Sequence, residues 1–245
     1  TPKPSSAASD VYKRQISGRC LLSQELFGRS ANRGNCLQPC RREYLIRDIE
    51  EGHELRIGRN YILSPKDLCC LPFIEKLIRA GVHAFKIEGR KRSPEYVKVV
   101  TECYREAIDS YFANGEINKK KLLKKLGTVY NRGFSSGFLL HVPTEKDFTD
   151  SYGSKAIIRK EYVGFVNNYY KKIGVAEVKL ESGNIKLGDK IMFIGNKTGV
   201  VEQCVESMEI NHKKVKKVEK GNIVAIKTND VVRANDKVFV MKKTI

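Results

Sequence analysis

No stretch of this chain approaches the ~18 consecutive apolar residues that a membrane-spanning helix needs. The N-terminus also lacks the basic-then-apolar order of a secretory signal. A cytoplasmic location without a membrane partner is the expectation that follows. The seven cysteines are irregularly spaced, with Cys69 and Cys70 adjacent, and do not make the framework of a secreted disulfide protein. The His-Glu-x-x-His pattern of a zinc peptidase is missing, and no Ser or Cys stands beside an evident base. His53, His83, His141 and His212 form no spaced pair with a carboxylate and read as surface or packing residues. Acidic residues are scarce, 28 against 46 Lys and Arg, which leaves a net charge of +18. That surplus points to a polyanion, because Lys and Arg set against phosphates release counterions. Nucleic acid is the leading class, with a solvated Lys-rich surface as the alternative.

The chain's 245 residues, 41% of them apolar, suffice for one large or two modest packed domains. Residues 16–58 lack periodicity and read as loops and short strands around the cysteines. Tyr61-Ile62-Leu63 is fit for a buried strand, and Leu71, Ile74, Leu77 and Ile78 give one face to a helix over 68–80 that Gly81 ends. His83–Ile87 reads as the next strand. Ser93 offers an N-cap and Pro94 a first helical position to a long helix lined by Val97, Val100, Tyr104, Ala107, Ile108 and Tyr111, closed by Asn114-Gly115. A basic helix over 117–126 and a Gly- and Ser-punctuated connector over 128–138 follow.

Strand, helix, strand, helix is the order of parallel βα units, whose functional groups gather at the strands' C-terminal ends. A closed eight-unit barrel takes ~250 residues, and this region offers roughly two units. From about Tyr162 the pattern changes to short alternating strands over 163–166, 175–180, 190–193, 200–205, 223–226 and 237–240, separated by turn signals. The predicted fold is thus mixed, α/β followed by a small all-β barrel.

Cys20, Cys36 and Cys40 are the candidate metal ligands. Cys36 and Cys40 make a Cys-x3-Cys pair whose two sulfurs can face one centre, while Gly34 and Pro39 favour tight turns. Zinc and a 4Fe-4S cluster both accept such a set, and no fourth ligand is evident nearby. Cys69, Cys70, Cys103 and Cys204 read as small core residues. Lys66 with Asp67, and Lys86 with Glu88, stand after or at the ends of the two predicted strands. They are the candidate catalytic groups, for proton movement or for an anionic cosubstrate. An ion pair is the alternative for Lys86 and Glu88. Arg90, Lys91 and Arg92 lead into the helix that starts at Pro94, where an anion fits free amides. Arg132, in Asn131-Arg132-Gly133-Phe134, is a further candidate for the same anion, and Phe134 for a nucleobase stack. Otherwise Phe134 and Phe138 are core contacts of a linker.

Several of these segments also carry a resemblance. Ser17-Gly18-Arg19-Cys20-Leu21-Leu22-Ser23, Arg29-Ser30-Ala31-Asn32-Arg33-Gly34-Asn35-Cys36, Gln38-Pro39-Cys40-Arg41, Ser64-Pro65-Lys66-Asp67-Leu68-Cys69, Phe85-Lys86-Ile87-Glu88-Gly89-Arg90 and Tyr130-Asn131-Arg132-Gly133-Phe134 occur in this order. Together they resemble the collagenase-like peptidases of unclassified family 32, over about half of the chain. In that family a further cysteine stands shortly before Ser-Gly-Arg-Cys, so the resemblance implies a 4Fe-4S cluster whose fourth ligand is missing here. Residues 1–15 do not resemble the family segment they replace and are expected to be a non-native or disordered leader. Residues 16–150 are expected to hold the cysteine loops and the last βα units of a TIM-like barrel. Residues 155–245 resemble the second-domain β-barrels of translation factors. Family members are linked to hydroxylation of the wobble uridine of tRNA and of a cytidine in rRNA, with prephenate implicated as an anionic participant. Other relatives hydroxylate a ubiquinone precursor. The leading expectation is an iron–sulfur RNA-modifying enzyme, of which this fragment is inactive alone and exposes apolar surface. A collagenase-like protease and a noncatalytic RNA-binding remnant are the alternatives.

Overall fold

The computed structural model describes residues 22–29, 35–57, 65–89, 92–149 and 153–244. The predicted leader over 1–15, the strand over 61–63, Cys20 and Arg90 lie outside the described residues. The chain divides into two compact units, the first of residues up to Cys70 with Asn131–Lys155, the second of Leu71–Tyr130 with Ala156–Ile245.

In the first unit a short helix, α1 (Leu22–Phe27), stops at Gly28, whose φ of +63° suits a residue without Cβ. Strands β1 (Tyr44–Arg47) and β2 (Glu54–Ile57) pair antiparallel. Their connection is held by the Asp48 carboxylate, which accepts the Glu50 and Glu51 amides at 3.0 Å each. Strand β3 (Asp67–Leu68) then pairs in parallel with β4 (Phe134–Ser135), Asp67 opposite Phe134. This two-residue ladder is the parallel pairing seen among the described residues.

The second unit begins with a 3-10 turn, Leu71–Phe73, leading into α2 (Ile74–Arg79). The predicted helix over 68–80 is therefore shorter at its start. Leu68 is committed to β3, and Pro72 has no amide to donate into a preceding turn. The predicted strand over 83–87 lies outside any helix or strand. An apolar strand needs a neighbour to accept its backbone bonds, and among the described residues none is paired with it.

Helix α3 (Pro94–Asn114) has the predicted bounds and ends at Gly115, at φ +75°, whose amide donates to the Tyr111 carbonyl at 3.0 Å. Its buried stripe is Val99, Val100, Cys103 and Ala107, while Val97 is exposed, so the inward face is rotated from the one predicted. Ser93 is extended and makes no side-chain cap; its carbonyl takes the Tyr96 and Val97 amides instead. Helix α4 (Lys119–Leu126) is capped by Asn118, whose side chain accepts the Lys121 amide at 3.0 Å, and buries Leu122 and Leu126.

Ten strands follow, β5 (Ile158–Tyr170), β6 (Val175–Leu180), β7 (Asn184–Lys186), β8 (Lys190–Gly195), β9 (Gly199–Cys204), β10 (Met208–Ile210), β11 (Lys213–Lys214), β12 (Lys217–Glu219), β13 (Ile223–Lys227) and β14 (Lys237–Lys243). Eight form one antiparallel sheet in the order β11-β10-β13-β6-β5-β14-β8-β9, and β7 pairs with β12 as a separate ribbon. Val201 from β9 and Met208 from β10, near opposite edges of the sheet, share one core with Val166, Phe193 and Ile226. The sheet therefore curls around its apolar face. Gly164 sits where β6 crosses closest: a Cβ there would meet the Lys179 carbonyl oxygen at 1.9 Å.

Candidate functional site

The side chains with the densest polar geometry in the first unit surround the β3–β4 ladder. The Asp67 amide donates to the Gly133 carbonyl at 3.0 Å, and the Cys69 amide to the Ser135 carbonyl at 2.9 Å. These bonds carry the Asp67 and Arg132 side chains to one place. One Asp67 oxygen accepts the Arg132 backbone amide at 3.0 Å; the other accepts Nε at 3.2 Å and Nη2 at 2.9 Å. Both side chains are largely covered, 18% and 14% exposed, so this forked pair is a strong charge-assisted contact. Asp67, predicted beside Lys66, and Arg132, predicted with Arg90 and Arg92 for an anion, are thus brought together, with the carboxylate holding the guanidinium. Lys66 runs alongside: its Nζ donates to the Lys146 carbonyl at 2.5 Å, and its methylenes pass 3.4 Å from where Gly133 would carry a Cβ.

Asp147 closes the same loop. Ser135 Oγ donates to its carboxylate at 2.5 Å, the Thr144 amide at 2.9 Å, and His141 Nε2 lies 3.0 Å away. The Ser135 hydroxyl, the Thr144 amide and His141, in that order of strength, hold the carboxyl far below the usual carboxylate range. His141 Nδ1 in turn lies 3.2 Å from Ser136 Oγ. With Asp147 ionised, the imidazole proton belongs on Nε2, which leaves the Nδ1 lone pair facing the Ser136 hydroxyl. The sequence reading that no histidine meets a carboxylate and no serine meets a base is corrected here. His53 likewise lies 3.0 Å from Glu51. The missed signal was Thr144-Glu145-Lys146-Asp147, a Thr-x-x-Asp box in which the acid turns back onto the Thr amide. Phe138 is not a linker core contact but is 82% exposed beside this loop.

Cys36 and Cys40 lie on the turn that opens into the 3-10 segment Pro39–Arg41. Both thiols are half-buried, and Cys36 Sγ accepts the Gln38 amide at 3.3 Å. Gln38 reaches that geometry with a left-handed φ of 57°. An amide aimed at sulfur is the kind of outer-shell contact that steadies a ligating thiolate, and Cys36 has one. Among the described residues no three His, Cys, Asp or Glu side chains form a metal-holding group; Cys20 lies outside them. Cys70 is no ready thiolate, since burial, with Cys69 beside it, pushes its pKa up.

The remaining predicted residues belong to the second unit. Lys86 and Glu88 lie exposed on the irregular segment before α3. Arg92 stacks over the Tyr130 ring at 4.2 Å and the Tyr96 ring at 5.2 Å. Glu95, in the first turn of α3, pairs with Lys160 at 2.7 Å, so the helix start already has a carboxylate of its own. A groove of about 580 Å³, lined by Ile78, Phe85, Ile87, Tyr104, Ile108 and Phe112 among others, runs beside α3.

A family model described as Peptidase family U32 matches residues 14–149. The chain belongs to that family. An uncharacterized protease of Methanocaldococcus jannaschii is 45% identical over 235 residues, covering 94% of this chain and 57% of that relative. A collagenase of Porphyromonas gingivalis is 44% identical over 227 residues, covering 91% and 54% respectively. The tRNA hydroxylation protein P1 of Bacillus subtilis is 33% identical over 187 residues, covering 73% and 43%. The chain spans about half the length of these relatives. The U32 resemblance read from the ordered motifs thus holds, and the relatives' names divide between proteolysis and tRNA hydroxylation.

Proposed function

We propose that this chain is part of an iron–sulfur RNA-modifying enzyme of family U32 that takes part in hydroxylating a tRNA or rRNA base in the cytoplasm. The observation that carries the reading is its likeness, over 73% of its length, to a protein named for tRNA hydroxylation. The net charge of +18 suits the polyanionic substrate. Cys36, Cys40 and Cys20 would hold the metal with a fourth thiolate from the parent protein, zinc being the alternative occupant. An iron–sulfur centre there supplies one-electron chemistry. In this reading residues 16–150 are the closing βα units of a TIM-like barrel. Lys66 and the Asp67–Arg132 fork shape one of its loops, and an anionic cosubstrate such as prephenate is the small-molecule partner. Anaerobic purification of the full-length parent should give broad visible absorbance with stoichiometric iron and sulfide, and Cys36→Ala should abolish both. Stoichiometric zinc without iron in the parent would overturn the reading.

A second reading, proteolysis, is favoured by one observation, the hydrogen-bonded chain from Ser136 through His141 to Asp147. In it, Ser136 Oγ adds to a peptide carbonyl as its proton passes to His141 Nδ1. His141 then hands that proton to the departing amine, and water releases the acyl group from serine. Gelatin cleavage lost in Ser136→Ala and in His141→Ala but kept in Cys36→Ala would establish this reading. Cleavage indifferent to Ser136 would remove it.

A further inference from the structure

The lysines of this chain are used in two different ways. On α4, Lys119, Lys121 and Lys125 pair with Glu75, Glu106 and Glu102 at 2.6, 2.8 and 2.9 Å, so that basic run is neutralised inside its own unit. The ribbon of β7 and β12 and the neighbouring hairpin of β10 and β11 behave otherwise. Lys217 stands directly opposite Lys186 in the antiparallel register. Directly opposite residues project from the same face with Cβ atoms about 5 Å apart, and like charges so placed destabilise a sheet. The ladder cannot twist to part them, because the residues on its other face, Ile185 and Val218, are buried in the core.

The adjoining hairpin adds to the same charge. Asn211 and His212 both take left-handed φ, 50° and 61°, making the tight turn that delivers Lys213 and Lys214. Lys216 follows on the link to β12. All of these side chains are exposed. Two acids lie in this stretch: Glu209 stands opposite Lys214, and Glu219 pairs with Lys217; among the described residues no carboxylate pairs with Lys186, Lys213 or Lys216. The Lys217–Glu219 contact is exposed on both sides and weak enough to be exchanged for a phosphate, so these cations, carried on a ladder whose other face is buried, suit a negatively charged partner.

We propose that this ribbon grips the sugar–phosphate backbone of single-stranded RNA, with Lys186, Lys216 and Lys217 each meeting a phosphate; this rests on the RNA-modifying reading above. A chain of evenly repeated negative charges matches a row of lysines set at strand spacing. An anionic membrane surface attracts lysines as well, but the apolar residues of this ladder face inward and add no insertion to hold it there.

The test is fluorescence anisotropy of a short labelled single-stranded RNA against the full chain across a salt series, with the triple variant K186Q/K216Q/K217Q beside it. Each lost phosphate contact lowers the slope of log K against log salt by about 0.7, so three should flatten it by about 2 and weaken binding on the order of a hundredfold at about 0.1 M salt. K171Q/K172Q, in the β5–β6 turn, should leave the slope unchanged. Thermal stability of the triple variant without RNA should hold or rise, because the opposed charges are gone.

Binding with an unaltered slope in the triple variant overturns the ribbon while leaving the RNA reading in place. An equal loss in K171Q/K172Q, which would mean diffuse attraction, does the same. Tighter capture of a polyglutamate peptide or of phosphatidylserine vesicles than of RNA overturns the choice of partner, and a fall in Tm overturns the repulsion argument. No RNA binding by the parent chain removes the RNA reading itself, and the proposal with it.

Discussion

Asp147 gathers donors from Ser135, His141 and Thr144 on one carboxylate, and this fixes how acid acts on its loop. The group's folded pKa is lowered, from an unfolded value near 3.9, chiefly by the Ser135 hydroxyl. A depressed carboxylate contributes stability that is fully present above about pH 4 and is lost as pH falls toward the folded value. Denaturant midpoints of the parent chain should therefore drop between about pH 4 and pH 2, and Asp147→Asn should show a shallower drop over that window; parallel curves would refute the assignment. Asp67 and Arg132 were each legible as candidate site residues, but for different sites. Their mutual fork was not legible, since the partners are distant in sequence and meet only through β3 and β4. His141 and Asp147 were missed for a different reason: a loop hydrogen bond leaves no periodicity to read, and the Thr-x-x-Asp box is its one local sign.

At the scale of elements, periodicity carried what it could. All six predicted strands of the β region are present, and α3 has its predicted start and its glycine stop. The strands that were missed, β7, β10, β11 and β12, are only two or three residues long, too short for alternation to mark them. Gly164 is set by the close approach of β6, which no local pattern reveals. Gly164→Ala would drive a methyl group into the Lys179 carbonyl, and the β5–β6 ladder would have to spread. A loss of about 1–3 kcal/mol or more in denaturant unfolding is expected, and an unchanged midpoint would show that the crossing has slack.

Across the whole molecule, composition announced the basic surplus but not its distribution, because only folding pairs the lysines of α4 with glutamates and leaves those of the ribbon opposed. The predicted apolar exposure is visible at Phe112, which is 71% exposed beside the α3 groove. The interleaving of the two units has no signature in local sequence at all. The backbone leaves the first unit after Cys70, returns at Asn131 and departs again after Lys155. During synthesis, β3 thus leaves the ribosome well before the strand that completes it, and α2, α3 and α4 emerge in between. The first unit must be finished by threading its last piece onto an older, waiting scaffold, and no single cut in the backbone can release it intact.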